Sequence, residues 1–338
     1  MSEQEQDSIA SLGEFRLIDR IREKTESLPD PEVGIGDDAA VLAFGGEEIL
    51  LTTDAFVEGV HFDPGIGNWN QIGARMITAA VSDVAAMGGT PRHAVVSLCS
   101  PPDFSLDAFD ALVDGLIASC KRYRTALVGG DTVHTTGALV VSVTVTGAVT
   151  GKPILRSGAR VGDTLAVTGW LGGSHAGLLA SRDESLLQQF PQLATRHLEP
   201  AARVQEGELL ASSGRVTSMI DISDGLSSEA HHLAGSSNVG LAVHTNRIPF
   251  IDGLENFAKK VGETPLQMAL ASGEEYELLF TVSQGDPGEV DRFFRYLREK
   301  TGIEITPIGE VLPAGEGVVL VLGDGERKPL PATGYHHF

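Results

Sequence analysis

Leu139-Val-Val-Ser142-Val-Thr144-Val-Thr146 decides the fold class of this chain. Val141, Val143 and Val145 alternate with Ser142, Thr144 and Thr146, the period-2 pattern of an antiparallel strand with one packed face and one solvated face. Just upstream, Thr125–Val128 reads as a strand ending in Gly129-Gly130-Asp131. Just downstream, Gly147–Gly162 is rich in glycine and turn residues and carries Lys152, Arg156 and Arg160. A domain boundary is expected there, giving a flexible tail at 1–12, an N-terminal domain at 13–150 and a C-terminal domain at 151–338.

Further upstream, Leu106–Tyr123 places Leu106, Phe109, Leu112, Val113, Leu116, Ile117 and Cys120 on one helical stripe. Asn70–Met87 carries Ile72, Met76, Ala80, Val84 and Met87 along one face, closed by Gly88-Gly89. Phe15, Ile18 and Ile21 indicate a short early helix, and Glu48–Thr53 and His93–Cys99 read as strands. Downstream, strands are expected at Asp163–Thr168, Thr217–Ile222, Tyr276–Val282, Ile303–Ile308 and Gly317–Leu322. Helices are expected through His175–Ala180 and Leu226–Leu233. These elements predict an α+β protein of two mixed α/β domains, each with a largely antiparallel or mixed sheet, and not one doubly wound parallel sheet.

The 338 residues suffice for two domain cores. A formal net charge of −21 argues against nucleic acid or an anionic membrane surface as partner, since both recruit basic patches. Cys99 and Cys120 sit in apolar runs and read as reduced core residues. Met1–Asp7 has no charged-then-apolar leader pattern. No apolar run approaches the roughly 20 residues that span a bilayer, so a cytoplasmic protein is expected.

Forty glycines imply many tight loops, where phosphates and metals are commonly held. Aspartates recur where predicted strands end: Gly34-Ile-Gly-Asp37-Asp38, Thr52-Thr53-Asp54, Val81-Ser-Asp83, Gly129-Gly130-Asp131 and Asp221-Ile-Ser223-Asp224-Gly225. One Asp-Gly is ordinarily a turn. Five such junctions gathered together would repel one another unless a cation joined them, and Asp, Thr and Ser oxygens suit Mg²⁺. Bridging Mg²⁺ would also let an acidic cleft accept a nucleoside triphosphate. Gly147–Lys152 fails as a Walker A loop: its glycines are one residue too close, and Pro153 stands where Ser or Thr is needed.

Taken together, these motifs resemble the thiamine-monophosphate kinase family, in the superfamily of aminoimidazole ribonucleotide synthetase and selenophosphate synthetase. The likeness runs from Gly13-Glu-Phe through Gly34-Ile-Gly-Asp-Asp-Ala-Ala, Thr52-Thr-Asp, His61-Phe62 and Ser82-Asp-Val-Ala-Ala-Met-Gly. It continues through Gly129-Gly-Asp-Thr, Arg156-Ser-Gly, Asp221-Ile-Ser-Asp-Gly and Ser272-Gly-Glu-Glu-Tyr-Glu-Leu to Gly334-Tyr-His-His-Phe. The resemblance implies ATP-dependent phosphorylation of thiamine monophosphate to thiamine diphosphate by direct in-line transfer.

It also implies a role for each matching residue. Asp38, Thr52, Thr53, Asp54, Asp83, Asp131, Asp221 and Asp224 would bind several Mg²⁺ ions, with Asp37 a lesser candidate. Asp54, Asp83 and Asp131 would be catalytic. Tyr123, Gly130, Asp131, Arg156 and Ser223 would meet ATP, and His61, Glu274 and Tyr335 would hold thiamine monophosphate. A homodimer through the N-terminal sheets is implied as well. Two alternatives stay open: another ATP-dependent enzyme of the superfamily, of the purine-synthesis type, or a non-catalytic metal- or nucleotide-binding protein.

Overall fold

A computed structural model describes residues 14–25, 31–285 and 287–335. The expected tail at 1–12, Gly13 of the Gly-Glu-Phe motif and the final His336-His337-Phe338 lie outside them.

Two sheets organise the chain. The first has the order β1-β2-β5-β3-β4 and consists of β1 (Ala40–Phe44), β2 (Glu47–Val57), β3 (Thr90–Ser100), β4 (Ala126–His134) and β5 (Val140–Ala148). Within it only β3 and β4 run parallel. The second comprises β6 (Thr164–Thr168), β7 (Val216–Asp221), β8 (Gly240–His244), β9 (Leu278–Val282), β10 (Ile305–Leu312), β11 (Val318–Val321) and β12 (Arg327–Pro329). Its order is β12-β11-β8-β10-β6-β9-β7, and only β8 and β11 are parallel. Both sheets are mixed, as the alternating strand at 139–146 led us to expect.

The helices are α1 (Glu14–Thr25), α2 (Trp69–Ala86), α3 (Leu106–Arg122), α4 (Gly173–Ser181), α5 (Glu184–Gln189), α6 (Pro191–Leu198), α7 (Val204–Ser212), α8 (Leu226–Ser237), α9 (Leu254–Val261), α10 (Pro265–Ala271) and α11 (Pro287–Thr301). Among the described residues no helix is long and apolar enough to cross a membrane.

Helix α2 positions half of the site. A capping box starts it: the Asn68 side chain accepts from Gln71 N, and the Gln71 side chain accepts from Asn68 N. Its Ile72, Met76, Ala80 and Val84 pack against Leu50, Val141, Val143 and Val145 of the sheet. Neighbouring α3 approaches so closely that a Cβ on Gly73 would lie 2.2 Å from Leu112 O. A Cβ on Gly207 of α7 would lie 2.2 Å from Ala85 O. Helix α2 is therefore covered by its own sheet on one side and by elements of the second half on the other. The alternation on β5 holds to the letter, with Val141, Val143 and Val145 fully buried. On β9 all five residues are buried, because α8 covers one face of that sheet and α11 the other.

Three expected junctions take a different form. Asp54 lies within β2, whose ladder to β5 continues to Val57↔Val140. Asp83 lies within α2. Gly129-Gly130-Asp131 is not a loop: the parallel partner β3 carries the pairing on to Ser100↔His134. Asp38 and Asp224 do stand in loops, and Asp221 ends β7. Strand β9 starts at Leu278 and not at Tyr276, whose φ of 53° is left-handed and incompatible with a strand.

Candidate active site

Nine of the expected residues, Thr53, Asp54, His61, Asp83, Asp221, Ser223, Asp224, Glu274 and Tyr335, line one cavity of about 850 Å³ between the two sheets. The first sheet brings Asp54 on β2 and, after the strand, His61 and Phe62; α2 adds Arg75 and Asp83. From the second come Asp221, Ser223, Asp224, Glu274, Tyr276 and Tyr335.

At the acidic end, carboxylate oxygens of Asp38, Asp83 and Asp221 all lie within 4.8 Å of one another. Thr52 Oγ1 donates to Asp83 Oδ2 at 2.5 Å, and Ser82 Oγ donates to Asp221 Oδ2 at 2.5 Å. The second bond crosses from α2 to β7 and ties the two halves together at the cluster. Arg156 donates from Nη2 and Nε to Asp38 Oδ1, at 2.7 and 3.2 Å, while its backbone N–H points to the Asp37 carboxylate. Asp38 Oδ2 is buried and has no hydrogen-bond partner among the described residues.

The electrostatics follow from this crowding. Burial, then the neighbouring Asp54, Asp221 and Asp38 charges, hold Asp83 well above the usual carboxylate range. Burial and then Asp38 push Asp221 up to about 8. Burial raises Asp54 to about 6, and burial with Asp38 raises Asp37 to about 6. A cluster that holds protons at neutral pH is one whose charges lack a counter-ion. Hard oxygen donors, close approach and an orphaned buried carboxylate oxygen together fit a divalent cation such as Mg²⁺.

The other end of the cavity differs in character. Glu274 Oε2 accepts from Arg75 Nη2 at 2.6 Å and lies 3.6 Å from His197 Nδ1. His61 Nδ1 accepts from Val57 N at 3.0 Å, and its ring meets Phe56 edge-on. Tyr335, 45% exposed, overhangs the rim, with its N–H on Asp224 O. The tail before it is strapped to α8, where Ser227 Oγ donates to Pro331 O and accepts from Thr333 N. Ser223 Oγ donates to Glu229, whose carboxylate also accepts from Asp224 N.

Several expected residues are placed differently. Thr53 lines the cavity, but its hydroxyl turns to the face of β2 opposite Thr52 and bonds with Thr144 Oγ1 at 2.9 Å. Asp131 is on exposed β4, in register with Ser97, which pairs with Ser142, which pairs with Ala55. It therefore lies three strand spacings, roughly 14 Å, from β2. Gly130 is beside it, with a notional Cβ only 1.8 Å from Val96 O. Tyr123 caps α3 and is not among the cavity residues; its hydroxyl accepts from Ala202 N at 2.9 Å and donates to Thr78.

Models of the AIR synthase related protein match the chain, the N-terminal domain over residues 36–149 and the C-terminal domain over 160–321. The thiamine-monophosphate kinase of Aquifex aeolicus is 35% identical over 334 residues, covering 98% of this chain and 99% of the relative. The chain belongs to the thiamine-monophosphate kinase family. The family's Bacillus subtilis protein is 34% identical over 336 residues, spanning 97% of this chain and all of its own length. A solved structure described as AaThiL complexed with AMPPCP and TMP superposes with a TM-score of 0.82 at 34% identity, covering 98% and 99% of the two chains.

Three cavity groups, Arg75, His197 and Ser174, and the buried Ser82 behind the cluster were given no role by the family motifs. Arg75 is a buried arginine in the run Ile72-Gly-Ala-Arg-Met-Ile-Thr-Ala-Ala-Val, and a lone cation in an apolar helix was the available signal. Ser82 stands beside Asp83 but gave no sign of its reach to Asp221. His197, which burial and then Arg75 lower to about 4, and Ser174, 3.1 Å from it, come from segments without a motif.

Proposed function

We propose that this chain is an ATP-dependent kinase that converts thiamine monophosphate to thiamine diphosphate. The observation that carries this reading is one cavity lined both by Asp54, Asp83, Asp221 and Asp224 and by His61, Glu274 and Tyr335, with the Asp38, Asp83 and Asp221 carboxylates clustered at its wall. The family membership agrees with it, as does the AMPPCP and TMP found with the structurally similar AaThiL.

Asp38, Asp54, Asp83, Asp221 and Asp224, with Thr52, would hold several Mg²⁺ ions, which when bound cancel the charge of two phosphates brought face to face. Thr53, at the cavity edge with its hydroxyl on Thr144, would join them by turning its side chain; Asp131, three strands away, would do so only by an approach that a single chain does not make. Arg156 and Ser223 would turn to the nucleotide phosphates; a guanidinium suits their bidentate recognition. Gly130 and Tyr123, outside this cavity, would meet the nucleotide only where it extends beyond the cavity. Glu274 would accept from the aminopyrimidine, His61 would line its pocket, and Tyr335 would cover a ring with its π face.

The acceptor needs no strong base. A phosphate monoester is mostly dianionic near pH 7, its second pKa being about 6. One of its terminal oxygens attacks the γ-phosphorus of ATP, the bond from that phosphorus to the β-phosphate oxygen breaks, and ADP leaves. Direct in-line transfer gives inversion at phosphorus and no phosphoenzyme. The outer face of the first sheet, where Val95 and Val133 are exposed, and its edge strand β4, exposed throughout and carrying Leu127 and Val128, fit the pairing of two copies. An ATP-consuming biosynthetic step of this kind belongs in the cytoplasm.

The test is ADP release by purified protein with Mg-ATP, comparing thiamine monophosphate, free thiamine and no acceptor. Turnover with the monophosphate alone, yielding thiamine diphosphate, supports the proposal. Nucleotide binding without any such turnover overturns it.

A further inference from the structure

The cavity also contains a charged contact that none of the roles above uses. Arg75 projects from α2, a helix of the first half, and is 7% exposed. Its Nη2 donates to Glu274 Oε2 at 2.6 Å, on a loop of the second half. Its Nε is buried without a hydrogen-bond partner among the described residues. Arg75 stands eight residues before Asp83, which on an α-helix is about 12 Å. One rigid helix thus presents an acidic group at the cluster end and a guanidinium at the other.

The loop bearing Glu274 is held in an unusual shape. Glu274 and Tyr276 have φ of 56° and 53°, left-handed values that side chains rarely adopt. Backbone bonds from Glu274 N to Ser223 O (2.7 Å) and from Tyr276 N to Ile222 O (2.9 Å) fix that shape beside Asp221 and Asp224. Such strain persists where the surroundings over-determine it and is concentrated in functional sites. The outcome is a carboxylate with one oxygen engaged. Oε2 takes Arg75, while Oε1 has no hydrogen bond among the described residues.

We propose that Arg75 is a positioning residue for the acceptor: it grips Glu274 Oε2 from across the cleft and so presents Oε1 to the amino group of the substrate's heterocycle. This rests on the reading of the cavity as a thiamine monophosphate site. The electrostatics agree. Burial alone would push Glu274 up, but Arg75, then His197 and His61, outweigh it and hold the carboxyl below its ordinary value. The groups facing Glu274 are thus Arg75 from α2, His197 from α6, His61 after β2 and Tyr276 on its own loop, with Arg182 and His175 behind His197.

Replacing Arg75 by an apolar side chain removes both the grip and the main charge opposing burial. Glu274 then gains a proton at higher pH, and binding of an amino-heterocycle fails as pH falls through that raised value. A contact that merely pins the two halves together would not move the pH profile.

The experiment is calorimetric titration of thiamine monophosphate into wild type, Arg75→Met and Arg75→Lys, with Mg²⁺ and AMPPCP present, between about pH 5 and 8. Arg75→Met is expected to weaken binding about 10- to 100-fold at neutral pH, the range of one hydrogen bond to a charged group, and to lose more as pH falls. Arg75→Lys restores most of the affinity and the flat profile. Because Arg75 also helps to keep His197 neutral, the profile is repeated in a His197→Gln background, where the acid-side loss should remain.

Met and wild type binding alike at every pH would overturn the proposal. So would equal losses in Met and Lys with an unchanged profile. If Arg75→Met does not fold, Arg75→Lys decides: retained affinity with a flat profile supports the grip, and loss of affinity refutes it. A wild type that does not bind thiamine monophosphate sinks the substrate reading itself, a result distinct from a wild type that binds and variants that match it.

Discussion

Chelating divalent metal should make the folded state lose stability as pH rises, and Mg²⁺ should reverse that loss. The carboxylate oxygens of Asp38, Asp83 and Asp221 lie within 4.8 Å of one another. Two unit charges at that distance repel by about 3.5 kcal/mol at an effective dielectric constant near 20. Three ionised groups make three such pairs, on the order of 10 kcal/mol. Without metal, the folded chain relieves this by keeping protons, which is why burial and Asp38 put Asp221 at about 8 and why Asp83 stands well above its usual value. In the unfolded chain these groups titrate near 3.8. Between about pH 4 and 8 the folded state therefore binds more protons than the unfolded one, and stability falls with rising pH by about 1.4 kcal/mol per pH unit for each retained proton. At roughly 2 cal/mol/K of unfolding entropy per residue, that is about 2 °C in Tm per pH unit and proton for a chain of this length. Thermal unfolding in EDTA should thus show a Tm lower near pH 8 than near pH 5.5 by about 5 °C for each retained proton, or about 10 °C for the two on Asp83 and Asp221. Millimolar Mg²⁺ should lift the pH 8 value most. Glu275, raised by burial to about 7 away from the cluster, adds a metal-independent share, so the quantity to read is the difference between the two curves. A Mg²⁺ shift that is equal at both pH values, or undiminished in Asp83→Asn and Asp221→Asn, would refute the reasoning.

Asp54→Asn and Asp131→Asn should each lower kcat at least about 100-fold, judging from losses on removing other charge-stabilising groups. Far-UV circular dichroism should stay unchanged for Asp131→Asn, since that residue is exposed; near-normal ADP release by either variant would contradict its catalytic assignment. Gly115→Ala should destabilise by about 1–3 kcal/mol or more, because its Cβ would fall 1.9 Å from Asn70 O where α3 meets α2. Gly129→Ala, with nothing within 4 Å, is the control, and equal Tm values for the two would count against that close approach. Val128→Asp, on the open face of β4, should convert the proposed dimer to monomer in light scattering; a wild type that is already monomeric would end the pairing proposal.

How much could be read without coordinates depended on whether the cause was local. Helices α2 and α3 and strand β5 write their packing into a run of consecutive residues, and all three are found where the periodicity put them. Strand β4 does not: two glycines and an aspartate look like a turn, and only pairing with β3, some 30 residues away, keeps Gly129–His134 extended. Short segments such as α5, α6 and β12 lack enough residues to show a period. The aspartates of the cluster were recognisable by their recurrence beside apolar runs. Their division was not, because Thr52 and Thr53 differ only in the face each presents to the sheet. Arg75 was legible as an oddity, but its partner is Glu274, nearly two hundred positions away.

The bonds from Ser82 to Asp221, Arg75 to Glu274 and Arg156 to Asp38 have a consequence for the history and handling of this molecule. Each joins a residue from one half of the chain to a residue from the other. Neither half, expressed alone, would be a smaller version of the same receptor: it would be a scaffold with half a lining and stranded charges. Transplanting either half onto a relative would have to carry the matching contacts with it, so the two halves are constrained to change as a pair.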